Sequence, residues 1–244
     1  MRFSELTPPP VLLAETTSTN DVAKALARQG CLHGAAVVAE MQTAGRGRMG
    51  RSFLSPEGGV YLSVVLRPQG QAQDLRYLTL LFADAVCRAV FSVCGAACEI
   101  KWPNDVLLGG KKLAGILTEG VIAPSGAFDY LICGVGLNVA AVPEGVADIA
   151  ASLADYAVDR EALAAEMIRE LTAAASLSES EAAARLDRVR QTCATLGKTV
   201  SLHGENGTFS AFAEAIDENG ALVIREKDGT KRKISSGEVL ITQE

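Results

Sequence analysis

Residues 42–51, QTAGRGRMGR, thread Gln42, Arg46, Arg48 and Arg51 through three glycines. Gly45, Gly47 and Gly50 match the spacing G-x-G-x-x-G. That spacing serves a dinucleotide only when it closes a strand, opens a helix and is followed by an acid about 20 residues on. The apolar run 35–39, AAVVA, supplies the strand. The helix is missing: Pro56, Gly58 and Gly59 break it, residues 60–66 read as another strand, and positions 65–70 hold no Asp or Glu. A dinucleotide site is therefore not expected, and the glycines and arginines of this loop need another explanation.

A second stretch, KWPNDVLLGGKKLAGILTEG at 101–120, places Lys101 at the end of a strand and uses Pro103 to turn Asn104 and Asp105 outward. Gly109-Gly110 then closes a hairpin, and Lys111 and Lys112 stand at the mouth of an apolar strand. A lysine beside LAGIL must reach water or a buried anion, because an unpaired buried ammonium is costly. The plainer alternative is an exposed hairpin whose lysines discourage edge pairing. Asn104 and Asp105 offer hard oxygen ligands suited to Mg²⁺ on nucleotide phosphates, although both residue types also stabilise turns through their own backbone. In CGVGLNV, 133–139, a buried strand ends in glycines that permit close approach of a ligand, followed by the polar Asn138.

These residues need a scaffold. Helical periodicity with start and stop signals covers 18–30, where Ser18 or Thr19 is the N-cap and Gly30 the stop, and also 74–95 and 159–177. Strand-like runs cover 99–102, 106–108, 113–119 and 128–135. Strands and helices in blocks predict an α/β fold, a mixed sheet with helices packed on it. The last fifty or so residues differ: Asn206-Gly207, Asn219-Gly220 and Asp228-Gly229 punctuate alternating runs at intervals of about ten, which predicts a small all-β unit. A charged helical segment, 178–197, reads as the link.

The chain has 244 residues, 29 acids against 23 Lys and Arg, and a net charge of −6, so the arginine cluster is local and suits a small anion better than a polyanion. The start lacks the apolar region of a signal peptide, and the most apolar stretch, 78–98, is interrupted by Asp84 and Arg88; a cytoplasmic protein with no membrane partner is expected. Six cysteines follow no CxxC pattern, and Cys87, Cys94 and Cys98, spaced as on one helix face, read as core thiols. With only two histidines, a His-rich metal site or His-based triad is not expected.

Taken together with ETTSTN at 15–20 and SPEGGVYLSV at 55–64, these motifs resemble, in order and spacing, the biotin protein ligase family across nearly the whole chain. The resemblance implies a class II synthetase-like catalytic domain, 1–192, and a small SH3-like β-barrel, 193–244. It implies an ATP-dependent enzyme that joins biotin to AMP using ATP and Mg²⁺, then passes biotin to a lysine of a biotin carboxyl carrier protein domain. Ser18, Thr19, Asn20 and Gln42 would contact biotin's ureido head, and Gly45, Arg46 and Arg48 would belong to the covering loop. Lys112 would bind the carboxylate and, with Arg48, act catalytically, while Gly115 and Leu117 line the wall. Arg46, Arg48, Lys101, Asn104 and Asn138 would serve the ATP phosphates, and Asp105 the metal.

Met49 and Phe53 stand where relatives have arginine or tryptophan, which bears on retention of the intermediate. About 14 residues precede ETTSTN, too few for the helix-turn-helix domain of repressor-type members, so no DNA partner is expected. The sequence does not decide between monomer and homodimer; for a homodimer, an edge strand of the catalytic sheet is the natural surface to pair. The rival readings are a lipoate-type acyl-protein ligase, whose Arg-Arg and Gly-Gly-Gly loop is not found, and a non-catalytic biotin or nucleotide sensor.

Overall fold

A computed structural model describes residues 1–68, 75–204, 207–235, 237 and 239–241. Its larger sheet has seven strands, side by side in the order β1 (Val11–Thr16), β2 (Ala36–Gln42), β3 (Val60–Leu66), β7 (Phe128–Leu137), β6 (Lys111–Ile122), β5 (Asp105–Leu108) and β4 (Glu99–Lys101). β1 and β2 run parallel and every other pair is antiparallel, so the sheet is mixed, as expected. β1 has no counterpart among the predicted strands. It is an edge strand with no buried residue, so it carries no clean apolar alternation.

Strand alternation divides the sheet into two faces. Leu62, Val64 and Leu66 of β3, with Leu131, Cys133 and Val135 of β7, join the main core under α2 (Leu75–Cys94), α3 (Arg160–Ala174) and α4 (Glu179–Thr192). On the other face Val65 and Ile132 pack with Ala23 and Ala27 of α1 (Thr19–Arg28). Fully burying one such large side chain is worth about 1.5–3 kcal/mol, so each face is held firmly. On α1's face, β7 also carries Gly134 and Gly136, which β6 opposes with Leu117 and Gly115.

α2 is long and apolar enough to cross a membrane, but here it is a core helix, with Leu80, Phe82 and Val86 fully buried. Its Asp84, 2% exposed, pairs with Arg185 at 3.3 Å and Arg188 at 3.0 Å, both from α4. Glu170 of α3, 3% exposed, takes Arg88 of α2 at 2.9 Å. The segment predicted as a link is therefore part of the helical layer. α4 starts at a Ser178–Glu181 capping box and ends at Thr192, after which the chain returns to the first sheet: Ala194 N donates to Ile100 O at 2.8 Å. Cys98 also departs from expectation. α2 ends at Cys94, the chain reverses at Gly95 (φ +74°), and Cys98 lies beyond the helix; all six thiols are free.

The second sheet is antiparallel, in the order β11 (Lys231–Ile234), β10 (Leu222–Arg225), β9 (Gly207–Ile216), β8 (Thr199–Gly204), β12 (Val239–Ile241). The predicted turns at Asn219-Gly220 and Asp228-Gly229 connect its strands, while Asn206 of the third lies outside the described residues. Val200, Leu202, Ala213 and Leu222 belong to the same contiguous core as the first sheet.

Candidate active site

An open cleft of about 940 Å³, solvent at its mouth included, lies where the N-terminus of α1 meets the glycine-bearing face of β6 and β7. Ser18, Thr19, Asn20 and Gln42 line one end. Ser18 holds the N-cap position but its side chain makes no capping bond, unlike the usual N-cap serine. Thr19 donates from backbone N and Oγ1 to Gln42 Oε1 at 2.9 and 3.1 Å, and Gln42 Nε2 donates to Ser55 Oγ at 2.9 Å. Ser63 Oγ donates to Asn20 Oδ1 at 2.6 Å and lies 2.8 Å from Thr19 Oγ1; Asn20 Nδ2 donates to Glu119 Oε2 at 2.7 Å. The result is a buried, oriented polar head. A side chain at Gly134 would run into the Asn20 amide, so glycine there is a packing requirement.

The opposite end is cationic. Lys112 Nζ is 2.8 Å from Asp105 Oδ1 and 5.8 Å from the centre of the Phe53 ring. That ring lies against Gly136, where any Cβ would meet it, and against Gly115. Arg48 Nη1 donates to Asn104 Oδ1 at 3.0 Å, and Asn104 Nδ2 donates to Ile116 O at 2.9 Å. Burial pulls the Arg48 guanidinium below its ordinary range; Asp105 opposes that shift and Arg51 adds to it. A half-buried cation in this state is stabilised by any anion that enters. Lys101 also lines the cleft, and it makes no ion pair among the described residues. Leu117 completes the wall, and Gly237 and Val239 bring the second sheet to the cleft.

The glycine-rich loop spans the mouth. Gly45 is buried behind it, because a Cβ there would meet Phe53 O and Ser55 Oγ. Gly47 N donates to Arg51 O at 2.6 Å, and Met49 holds a left-handed conformation (φ 56°) unusual for a non-glycine residue. Arg46 turns to carboxylates: its Nη2 is 2.6 Å from Asp21 Oδ1.

Most of the predicted residues thus converge on one cleft, with two exceptions. Gly45 supports the loop from behind, and Asn138 is absent from the lining: 5% exposed, it donates from Nδ2 to Ala151 O at 3.0 Å and so fastens the 150–153 segment. The donor set is not an all-protein metal cage; it offers one carboxylate, Asp105, to a cation that a nucleotide would bring. Asp105 is bound to Lys112 and Asn104 to Arg48, and among the described residues no three His, Cys, Asp or Glu side chains cluster. Ser63, Ser55 and Glu119 escaped sequence reasoning. Ser63 is the one polar residue in VYLSVVL, and Glu119 follows Gly115 and Leu117 at the two-residue step that keeps it on their face.

The fold and site define an α/β protein whose cleft pairs a buried polar head with a cluster of cations under a glycine-rich loop. Residues 12–138 match the model of the Biotin/lipoate A/B protein ligase family and residues 195–241 that of the Biotin protein ligase C terminal domain. The chain belongs to the biotin/lipoate A/B protein ligase family. It is 34% identical to the biotin–[acetyl-CoA-carboxylase] ligase of Paracoccus denitrificans, over 93% of this chain and 98% of that protein. It is 35% identical to the bifunctional ligase/repressor BirA of Bacillus subtilis, over 90% of this chain and 70% of that one. The solved biotin protein ligase from Aquifex aeolicus in complex with biotin and ATP is similar in structure, with a TM-score of 0.78 at 30% identity, covering 96% of this chain and 99% of that one.

Proposed function

We propose that this protein is an ATP-dependent biotin protein ligase. A carboxylate oxygen of biotin attacks the α-phosphorus of ATP, pyrophosphate leaves, and biotinyl-5′-AMP forms. The amine of a lysine on a biotin carboxyl carrier protein domain then attacks the acyl carbon and AMP leaves. The observation that carries the reading is the polarity of the cleft: a neutral hydrogen-bonding head built on Thr19, Asn20 and Gln42 faces an end holding Lys101, Lys112 and Arg48. A neutral ureido group suits the first end, and a carboxylate reacting with a phosphate suits the second, where fixed cations offset charge that builds as pyrophosphate departs. Within this proposal Ser18 joins the head, Gly115 and Leu117 the wall, and Asn104 the phosphate side. Mg²⁺ enters only as the counter-ion that the nucleotide brings to Asp105, and no step is assigned to it.

The boundary at 192/193 belongs to the same reading, supported by the end of α4 at Thr192 and the second family match from 195. Gly237 and Val239 in the lining favour a role for the second unit at the nucleotide end. We place a homodimer contact on β1, whose Leu12 is 59% exposed, and the protein in the cytoplasm.

ATP–pyrophosphate exchange tests the function, with biotin, lipoate and no acid compared. Exchange with biotin alone is expected. Exchange with lipoate instead would move the activity to lipoate-type ligation, and biotin binding without exchange would make the protein a sensor.

A further inference from the structure

Arg46 reaches from the glycine-rich loop to carboxylates on two other elements. Its Nη2 is 2.6 Å from Asp21 Oδ1 on α1 and 3.4 Å from Glu119 Oε2 on β6. Glu119 meanwhile accepts from Asn20 Nδ2 at 2.7 Å and from Lys24 Nζ at 2.6 Å. Burial pushes the Glu119 carboxyl up, yet Lys24, Asn20 and Arg46 together hold it below the ordinary carboxylate range. One charged side chain therefore touches the loop, α1 and the polar head at once. The Asn20 amide is held on both sides, by Ser63 at its oxygen and by Glu119 at its nitrogen. The loop's own base is tied by backbone bonds, with Arg46 bridged to Ser52 and Phe53 N donating to Gly45 O at 2.8 Å. Swinging the loop away would break the Arg46 contacts and leave Glu119 with α1 alone.

We propose that Asp21 and Glu119 are positioning residues that latch the glycine-rich loop over the cleft through Arg46, and that Glu119 couples loop closure to the orientation of Asn20 at the acid-binding head. The identity of the acid rests on the ligase reading; the latch itself does not. While latched, Arg46 has its charge met by carboxylates, whereas Arg48 meets the neutral amide of Asn104 and keeps its charge for an entering anion. The carboxylates thus separate two jobs within the GRGR motif: Arg46 closes, Arg48 binds.

Limited trypsinolysis of the ligand-free protein reads the latch directly, because the loop carries its own cleavage site at Arg51. Asp21→Asn and Glu119→Gln are expected to accelerate cleavage after Arg51 about three- to fivefold, the scale of a partly exposed ion pair, with thermal midpoints unchanged. Arg46→Ala should do the same, and adding Asp21→Asn to it should give no further increase. Glu119→Asp, which keeps the charge, should recover part of the protection. Equal cleavage in parent and variants, or additive effects of Arg46→Ala and Asp21→Asn, would overturn the proposal. Asp21 is about half exposed, so its variant keeps the test usable even if Glu119→Gln folds poorly. No ligand is present, so the outcome is separable from the exchange assay that tests the ligase reading. In an active ligase the same variants should raise KM for biotin with little change in kcat.

Discussion

Lys112 and Arg48 carry the site at the scale of single residues. Lys112 reaches the cleft from the start of β6, where Asp105 holds its ammonium at 2.8 Å. An entering carboxylate would share that ammonium with Asp105. Lys112→Ala should therefore cost adenylation at least ~3 kcal/mol, the scale of losing one preorganised donor at developing charge, measured as initial ATP–pyrophosphate exchange with biotin. Arg48→Gly removes the half-buried cation that spans from the loop to Asn104. The adenylate should then escape, so mass spectrometry should find biotin on lysines of bystander proteins; labelling confined to the carrier would show that Arg48 does not bind the intermediate. Both residues were legible in the sequence, because a cation in a glycine run and a lysine beside an apolar strand are unusual wherever they occur. Glu119 was less legible. Its type is ordinary, and only its place on the Gly115–Leu117 face marks it.

At the scale of elements, α2, α3 and α4 are joined by charge as well as by apolar packing. Glu170 takes Arg88, Arg169 and Arg185, and although burial pushes its carboxyl up, those arginines, Arg88 foremost, hold it below the ordinary range. A carboxyl lowered in the folded state contributes stability that is fully present above its unfolded value, about 4.3, and is lost as pH falls through the folded value. Glu170→Gln should accordingly lower unfolding free energy at neutral pH by about 2 kcal/mol, the scale of hydrogen bonds to a charged group, since Arg88 loses its carboxylate while Arg169 keeps Glu166 and Arg185 keeps Asp84. Denaturant titrations at several pH values should find the gap between variant and parent closing toward acid pH. The helices themselves were readable from periodicity and caps. That 178–197 forms part of this layer was not, because its exposed charges look the same on a tether and on a packed helix until Asp84 is seen between Arg185 and Arg188.

At the scale of the whole molecule, the two units meet through Trp102. Its indole N–H donates to Gly220 O at 3.0 Å, and its backbone N donates to Thr195 Oγ1 at 3.0 Å, both partners lying beyond α4. Trp102 is 1% exposed and stands between Lys101 and Pro103 in the cleft lining. Trp102→Phe retains much of the ring but strands the Gly220 carbonyl, a loss of about 1–3 kcal/mol. It should lower the thermal midpoint and, by loosening Gly237 and Val239 at the cleft, raise KM for ATP more than KM for biotin. Equal effects on the two substrates would show that the second sheet does not shape the nucleotide end.

The sequence by itself determined whatever local chemistry dictates. The Gly109-Gly110 hairpin turn, the glycine-rich loop, the glycines of β7 and the change to an all-β tail each depend on backbone rules that act within a few residues. It also carried enough ordered motifs to reveal the family. Only the tertiary structure decided which side chains meet: Asp105 with Lys112, Arg46 with Asp21 and Glu119, Ser63 with Asn20, and Asn138 with the 150–153 segment instead of the cleft. Those pairings follow from strand register and from how α1 docks on the sheet, and both are settled by burial summed over the whole core, which no short stretch of sequence contains.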